Sequence, residues 1–249
     1  MMEILKHTAH RPWGLPHGPW IMKQEWHDLL FAHWVVPAEV LRPLIPPALE
    51  IDTFGGQAWL GVVPFRMSGV RMRGVPAIPG LSRFPELNVR TYVARDGKPG
   101  VWFFSLDAVN AVAVWGARKL FHLPYFLAEM SCAENSGWTR YQSGRKDHRG
   151  LAASLRARYR AIGDVFQAAP GSIEHFLAER YCLYTADKKG HIIRCEIHHP
   201  PWPLQMAEAA LQENTMAAAA GITINELKPK LLHFSRRQEV VVWAPRVLK

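Results

Sequence analysis

Apolar positions fall into short runs with a period of two, cut at frequent intervals by glycine and proline, and that pattern predicts many strands. Trp20 to Val36 is long and apolar, with His27, Leu29, Phe31, His33 and Val35 on one parity. Pro37 to Leu41 opens a short helix that Pro43 and Pro46-Pro47 stop. Leu49 to Met67 reads as a hairpin around Asp52-Thr53-Phe54-Gly55-Gly56. In Glu86 to Ala94, residues Leu87, Val89, Thr91 and Val93 share one side, and Asn88, Arg90 and Tyr92 the other. Val101 to Val109 is a further strand, apolar on both faces except at Ser105 and Asp107. Asn110 can cap a helix from Ala111 to His122, ended by Pro124, and Ser172 can cap a shorter one through Ala178.

Tyr181 to Thr185 and Ile192 to Ile197 flank Asp187-Lys188-Lys189-Gly190. Aspartate first and glycine fourth suit a type I turn with a left-handed glycine bulge. That register sets Leu183 opposite Cys195, Thr185 opposite Ile193 and Tyr184 opposite Arg194. A two-residue turn would instead set Leu183 against Arg194 and mix the faces, so the bulged register is expected, and a Cys182–Cys195 bond is not. Leu204 to Gly221 is ambiguous, because alanine favours helix while a clear cap precedes only Asn214 to Ala220. Leu231 to Val247 reads as a final hairpin around Ser235-Arg236-Arg237. About ten strands and three or four short helices, without regular alternation, disfavour a doubly wound parallel sheet. The expected fold is mainly β with short helices (α+β): a bent, mostly antiparallel sheet or barrel forming a single domain over residues 1–249.

Composition changes this picture little. The chain has 249 residues, 49% of them hydrophobic and 20% charged, which excludes a disordered or collagen-like chain. The longest apolar runs reach about ten residues, half of what a membrane-spanning helix needs, so no membrane partner is expected. The three cysteines are widely spaced and the N-terminus lacks a secretory pattern, which together suggest a reducing, cytoplasmic address. Charge is more pointed: the net value is +9. Seven Lys/Arg residues lie between Arg140 and Arg160 against one acid, Asp147. Arginine alternates in Arg156-Ala157-Arg158-Tyr159-Arg160, which fits a solvated outer strand. No nucleic-acid-binding motif accompanies it, so no specific nucleic-acid partner is expected.

Phosphate loops, dinucleotide fingerprints, zinc-protease helices and nucleophile elbows are missing, and no cofactor is expected. His198 and His199 are adjacent on a strand and point to opposite faces, so the pair is ill suited to one metal ion, and none is assigned. Arg90, mid-strand and inward, must be paired. It is either a fork for a ligand carboxylate or one half of an ion pair with Asp107, Glu129 or Glu196. Arg118, on an otherwise apolar helix, poses the same choice.

Several blocks taken together resemble the YqjF-like family of bacterial proteins. They include Phe31-Ala-His-Trp34, Gly61-Val-Val-Pro-Phe-Arg-Met67, Phe84-Pro-Glu-Leu-Asn-Val-Arg-Thr-Tyr-Val93, Gly100-Val-Trp-Phe-Phe-Ser-Leu-Asp-Ala108, Leu123-Pro-Tyr125, Glu179-Arg-Tyr181 and His198-His-Pro-Pro-Trp-Pro-Leu204. That family is similar, more remotely, to the acetoacetate-decarboxylase-like superfamily. The resemblance implies an antiparallel barrel with an internal pocket, often in homo-oligomers. It also implies a lysine, in a Gly-Phe-Pro-Lys-Lys-like segment after a short helix, that forms an imine with a β-keto acid. In the matching stretch, Trp115 to Phe126, Tyr125 follows the proline and no lysine does. Lys119 lies one and a half turns earlier in the helix.

The expectation is therefore a barrel for a small, anionic organic acid or carbonyl compound, with lysine-independent acid/base chemistry of a lyase or isomerase type. Tyr125 and Glu196 are the candidate catalytic groups. Arg90, Tyr92, Asp107, Arg118 and His198 are the candidate ligand-binding groups. The alternative is a non-catalytic binding or sensory barrel that has lost the imine-forming lysine.

Overall fold

The computed structural model describes residues 3–224, 226 and 228–248. Its strands are β1 (Met22–Val36), β2 (Glu50–Ile51), β3 (Ala58–Met72), β4 (Phe84–Arg95), β5 (Lys98–Ala108), β6 (Tyr125–Asn135), β7 (Trp138–Arg145), β8 (Ser154–Phe166), β9 (Cys182–Ala186), β10 (Ile192–His198), β11 (Leu204–Asn214), β12 (Leu231–Val242) and β13 (Arg246–Val247). Four short helices interrupt them: α1 (Ala38–Leu41), α2 (Ala111–Leu120), α3 (Ile173–Ala178) and α4 (Met216–Ala219). Among the described residues no helix is long and apolar enough to cross a membrane.

One wall, β12-β1-β3-β4-β5, carries the whole design. Each outer edge of this wall forks. On β5, Val101 and Trp102 pair with β9, while Leu106 to Ala108 pair with β6. On β12, His233 and Phe234 pair with β11, while Val241 and Val242 pair with β10. The sheet therefore closes twice, once through β6-β7-β8-β11 and once through β9-β10. Among the described residues only the β5–β6 and β5–β9 pairs are parallel.

Alternation along the wall feeds both interiors. Leu30, Ala32, Leu60, Val62, Leu87 and Val89 pack with Tyr141, Leu155 and Tyr159 in the first circuit. Leu29, Phe31, Val63, Phe65 and Leu106 face the second, with Cys195, Trp202 and Val242. This is why Trp20 to Val36 is apolar on both parities.

The β9–β10 hairpin has the bulged register: Leu183 faces Cys195, Thr185 faces Ile193 and Tyr184 faces Arg194. Gly190 takes φ +83° and donates to the Asp187 carbonyl at 3.0 Å. Cys182 and Cys195 are free thiols. Asn110 and Ser172 cap α2 and α3, accepting from the Ala113 and His175 amides at 3.0 and 3.2 Å.

Two expected hairpins do not extend as strands. Residues 49–67 pair with themselves only at the turn, where Phe54 and Gln57 bridge around Gly55-Gly56, because β1 and β4 occupy both edges of β3. Instead Glu50 and Ile51 pair with Ala94 and Val93, extending the edge of β4 beyond the point where β3 leaves it. Ser235-Arg236-Arg237 is not a turn but the middle of β12, paired with Leu29 and His27 of β1. The Arg236 and Arg237 side chains reach Asp28 and Glu25, so this polar run is spent on cross-strand pairing. The ambiguous segment at 204–214 is strand β11. There Glu208 and Glu213 lie opposite Arg160 and Arg156 of β8, and pairing outweighs the helical preference of alanine.

Candidate functional site

The second circuit surrounds a cavity of about 410 Å³, walled by β1, β3, β4, β5, β9, β10 and β12 and roofed by α2. Its lining is mostly hydrocarbon. At one end lie buried groups, including Arg180, His199 and Trp202. The mouth is formed by the segment 72–81 and α2, where Val75, Ile78, Leu81, Val112 and Leu120 are 40–61% exposed. Among the described residues no lysine lines the cavity, and Lys119 is on the exposed side of α2.

Glu86 enters the cavity from β4 because it shares parity with Arg90. Tyr125, the first residue of β6, enters from the other flank of β5. The two meet: the Tyr125 hydroxyl donates to Glu86 Oε2 at 2.6 Å. Burial raises the Glu86 carboxyl to about 8, against the pull of the Tyr125 hydrogen bond and with the help of Asp107 repulsion. Burial, and then the Glu86 charge, hold the Tyr125 phenol well above its ordinary value. At neutral pH the pair is a protonated carboxyl beside a protonated phenol, with its first proton lost near pH 8. Arg118 is a positioning group: its Nη1 donates to the Tyr125 carbonyl at 2.8 Å, fixing the backbone that carries the phenol.

Arg90 lies further along the same face of β4. Its guanidinium carbon sits 5.4 Å from the Phe31 ring centre and 5.8 Å from that of Tyr92. One Nη donates to the Leu177 carbonyl at 3.3 Å, and the buried Nε has no hydrogen-bond partner. Among the described residues Arg90 makes no ion pair. Neither Asp107, Glu129 nor Glu196 is its partner. Arg180 lines the same cavity but is committed, through Nη1 to Asp52 at 2.5 Å and Nε to the Phe176 carbonyl at 2.6 Å. His199 stacks on Tyr181 with centres 4.6 Å apart, and burial lowers its pKa, keeping the ring neutral.

Of the expected residues, the structure brings Arg90 and Tyr125 to the cavity; the others lie elsewhere. Tyr92 is behind Arg90, donating to the Leu177 carbonyl at 3.0 Å and 2.6 Å from His33 Nε2. Asp107 is held by a bidentate fork from Arg145, at 2.7 and 3.0 Å, inside the sheet. Glu196 is on the opposite face of β10, 2.9 Å from Trp13 Nε1 and near Arg11, Lys98 and Arg194. Its place is a cationic cluster, not the cavity, because its neighbours Cys195 and Ile197 line the cavity and strand alternation turns Glu196 to the other face. His198 lies between Arg11 and the Ile4 carbonyl. It stacks on His10, with ring centres 5.5 Å apart, and His10 in turn packs against Tyr181, the ring on which His199 lies. Among the described residues no three His, Cys, Asp or Glu side chains are placed to hold a metal ion.

Glu86 and Arg180 went unremarked in the sequence reading. Glu86 was legible, since it continues the Asn88, Arg90 parity. Arg180 was not, because it follows α3 outside any strand.

A doubly closed sheet around a lined cavity is the acetoacetate-decarboxylase-like fold. The chain aligns with the enduracididine biosynthesis enzyme MppR complexed with pyruvate at TM-score 0.63 and 12% identity, covering 96% of this chain and 93% of that one. It aligns with the acetoacetate decarboxylase of Legionella pneumophila at TM-score 0.61 and 13% identity, covering 99% and 95%. Within that fold the chain belongs to the DUF2071 family, described as an uncharacterized conserved protein, whose model matches residues 23–239. It is 48% identical over 233 residues to the uncharacterized protein YqjF of Bacillus subtilis, covering 94% of this chain and 95% of the relative.

Proposed function

We propose that the cavity binds a small organic acid or carbonyl compound, with Arg90 receiving its carboxylate and the Glu86–Tyr125 pair exchanging a proton with it. The observation that carries this reading is the state of Arg90: a cavity-lining guanidinium with a bare buried Nε and no ion pair among the described residues. A charge in such a place is costly unless a counter-ion arrives, and a carboxylate matches its fork. The acetoacetate decarboxylases of this fold, and MppR with pyruvate, make a keto acid a reasonable class of ligand. An imine is not part of the proposal, because no described lysine reaches the cavity. Glu86 takes the role that the sequence gave to Glu196. A carboxyl that loses its proton near pH 8 is a general acid below that pH and a base above it. Tyr125 is placed to donate to a carbonyl or enolate oxygen.

Titration calorimetry with simple carboxylates tests this. Arg90→Gln should lower carboxylate affinity at least tenfold while leaving the folded state intact. Equal affinity in the variant overturns the reading, and so does a variant that fails to fold.

A further inference from the structure

We infer that the ligand is an amphipathic carboxylate whose apolar body is much longer than that of a three- or four-carbon acid and runs from Arg90 to the mouth. This rests on the proposed role of Arg90 and adds to it what the rest of the cavity selects.

Three observations carry it. First, free polar capacity in the cavity is sparse and gathered at its inner end. Gln24 Oε1 accepts from Trp26 Nε1 at 2.8 Å and Asn110 caps α2 and donates to the Leu81 carbonyl, which leaves the unpartnered Arg90 Nε and Trp202 Nε1 and the Glu86–Tyr125 pair. A sugar or nucleotide would leave its hydroxyls unpaired there, at a cost for each one. Second, at the inner end of the cavity one charge is uncompensated: Arg180 already has Asp52, and among the described residues the other lining arginine without an ion pair, Arg71, is half-buried at the end of β3 beside the mouth segment. A ligand with two charges at the Arg90 end would bury the second without a partner. Third, the hydrocarbon does not stop where the cavity opens. Val75, Ile78 and Leu81 on one side and Val112 and Leu120 on the other continue it outward while exposed to water. Scattered exposed apolar residues need no explanation, but a contiguous set ringing a cavity mouth marks a binding surface. A short acid at Arg90 would leave this lip bare, whereas an extended chain would cover it.

The experiment is titration at pH 7 with acetate, butanoate, hexanoate, octanoate and the uncharged 1-octanol, on the wild type, Arg90→Gln and the lip variant Ile78→Asp. Ile78 is exposed, so that substitution does not threaten the fold. Affinity should rise about fourfold per methylene from butanoate to octanoate, the increment expected for burying a CH₂ group. Octanol should bind at least tenfold more weakly than octanoate, and Arg90→Gln should remove that difference. Ile78→Asp should weaken octanoate several-fold and leave butanoate unchanged. A flat chain-length series that still depends on Arg90 overturns the amphipathic ligand and leaves the carboxylate site standing. Octanol binding as tightly as octanoate, with Arg90→Gln silent, overturns the carboxylate site itself and this inference with it.

Discussion

Glu86 is a carboxylic acid whose surroundings favour its neutral form, and stability should report this directly. The group has an ordinary value of 4.5 and is raised to about 8 in the folded protein, chiefly by burial. Between those values the folded state holds a proton that the unfolded state has released. Stability is therefore fully present below about pH 4.5 and declines as pH rises through about 8, by at most ~1.4 kcal/mol per pH unit for one proton. Glu86→Gln keeps the shape and removes the titration. Urea melts from pH 5 to 9 should show the wild type losing stability relative to the variant with rising pH, and parallel profiles would refute the assignment. In any reaction that needs the acid form, the rate should fall above about pH 8 in the wild type. At this scale the sequence was legible wherever alternation decided the matter. Arg90 and Tyr125 lie on the cavity because parity and a preceding proline put them there. Glu196, Asp107 and His198 were misplaced because parity says that a residue has a face, but not which circuit that face belongs to. Glu196 meets Arg11, Trp13 and Lys98 from segments far apart in the chain, and no local pattern announces such a meeting.

Among elements, turns with explicit chemistry were readable and pairings between distant strands were not. The Asp187 to Gly190 turn fixed its hairpin register, and Asn110 fixed the start of α2. The hairpin expected at 49–67 forms only its Phe54–Gln57 turn and that at 231–247 does not form, because sequence neighbours were assumed to pair, whereas β3 and β12 find partners elsewhere in the wall. The seam that closes the cavity circuit offers a sharp test. It is short, with Val101 opposite Leu183 and Trp102 opposite Tyr184, and Gly100 sits beside it. A Cβ at Gly100 would stand 2.7 Å from the Cys182 carbonyl oxygen, 2.7 Å from its Sγ and 2.8 Å from Tyr184 Cε2. Neither a backbone oxygen nor a packed ring yields cheaply. Gly100→Ala should cost about 1–3 kcal/mol, which lowers Tm by roughly 2–12 °C in a protein of this size. Gly116, in α2, has nothing within 4 Å of its Cβ direction. Gly116→Ala should be neutral or stabilising by up to about 1 kcal/mol. Equal effects of the two substitutions in thermal melts would contradict the close approach of β5 and β9.

At the scale of the whole molecule, we propose from the five-strand wall that the chain acts as one domain. Neither circuit can open without exposing a face of strands that the other needs. Leu30 and Phe31 are neighbours in β1, yet they belong to different interiors. The seams that complete the cavity circuit are each only a few residues long, too little to hold β9 and β10 closed if the wall behind them had lost its order. Unfolding should therefore be a single transition. Cys182 and Cys195 report on the cavity circuit: both are buried, and burial raises their thiols to about 12, which suppresses the reactive thiolate. Far-UV circular dichroism reports on all the strands together. Across a urea series, mass-mapped alkylation of Cys182 and Cys195 should share its midpoint with the dichroism change. Alkylation at distinctly lower urea, with most strand signal retained, would mean that the β9–β10 circuit opens alone and that the chain holds two separable units. Coincidence has a functional corollary. A carboxylate seated at Arg90 would then stabilise both circuits through the wall, and octanoate should move both midpoints by the same amount.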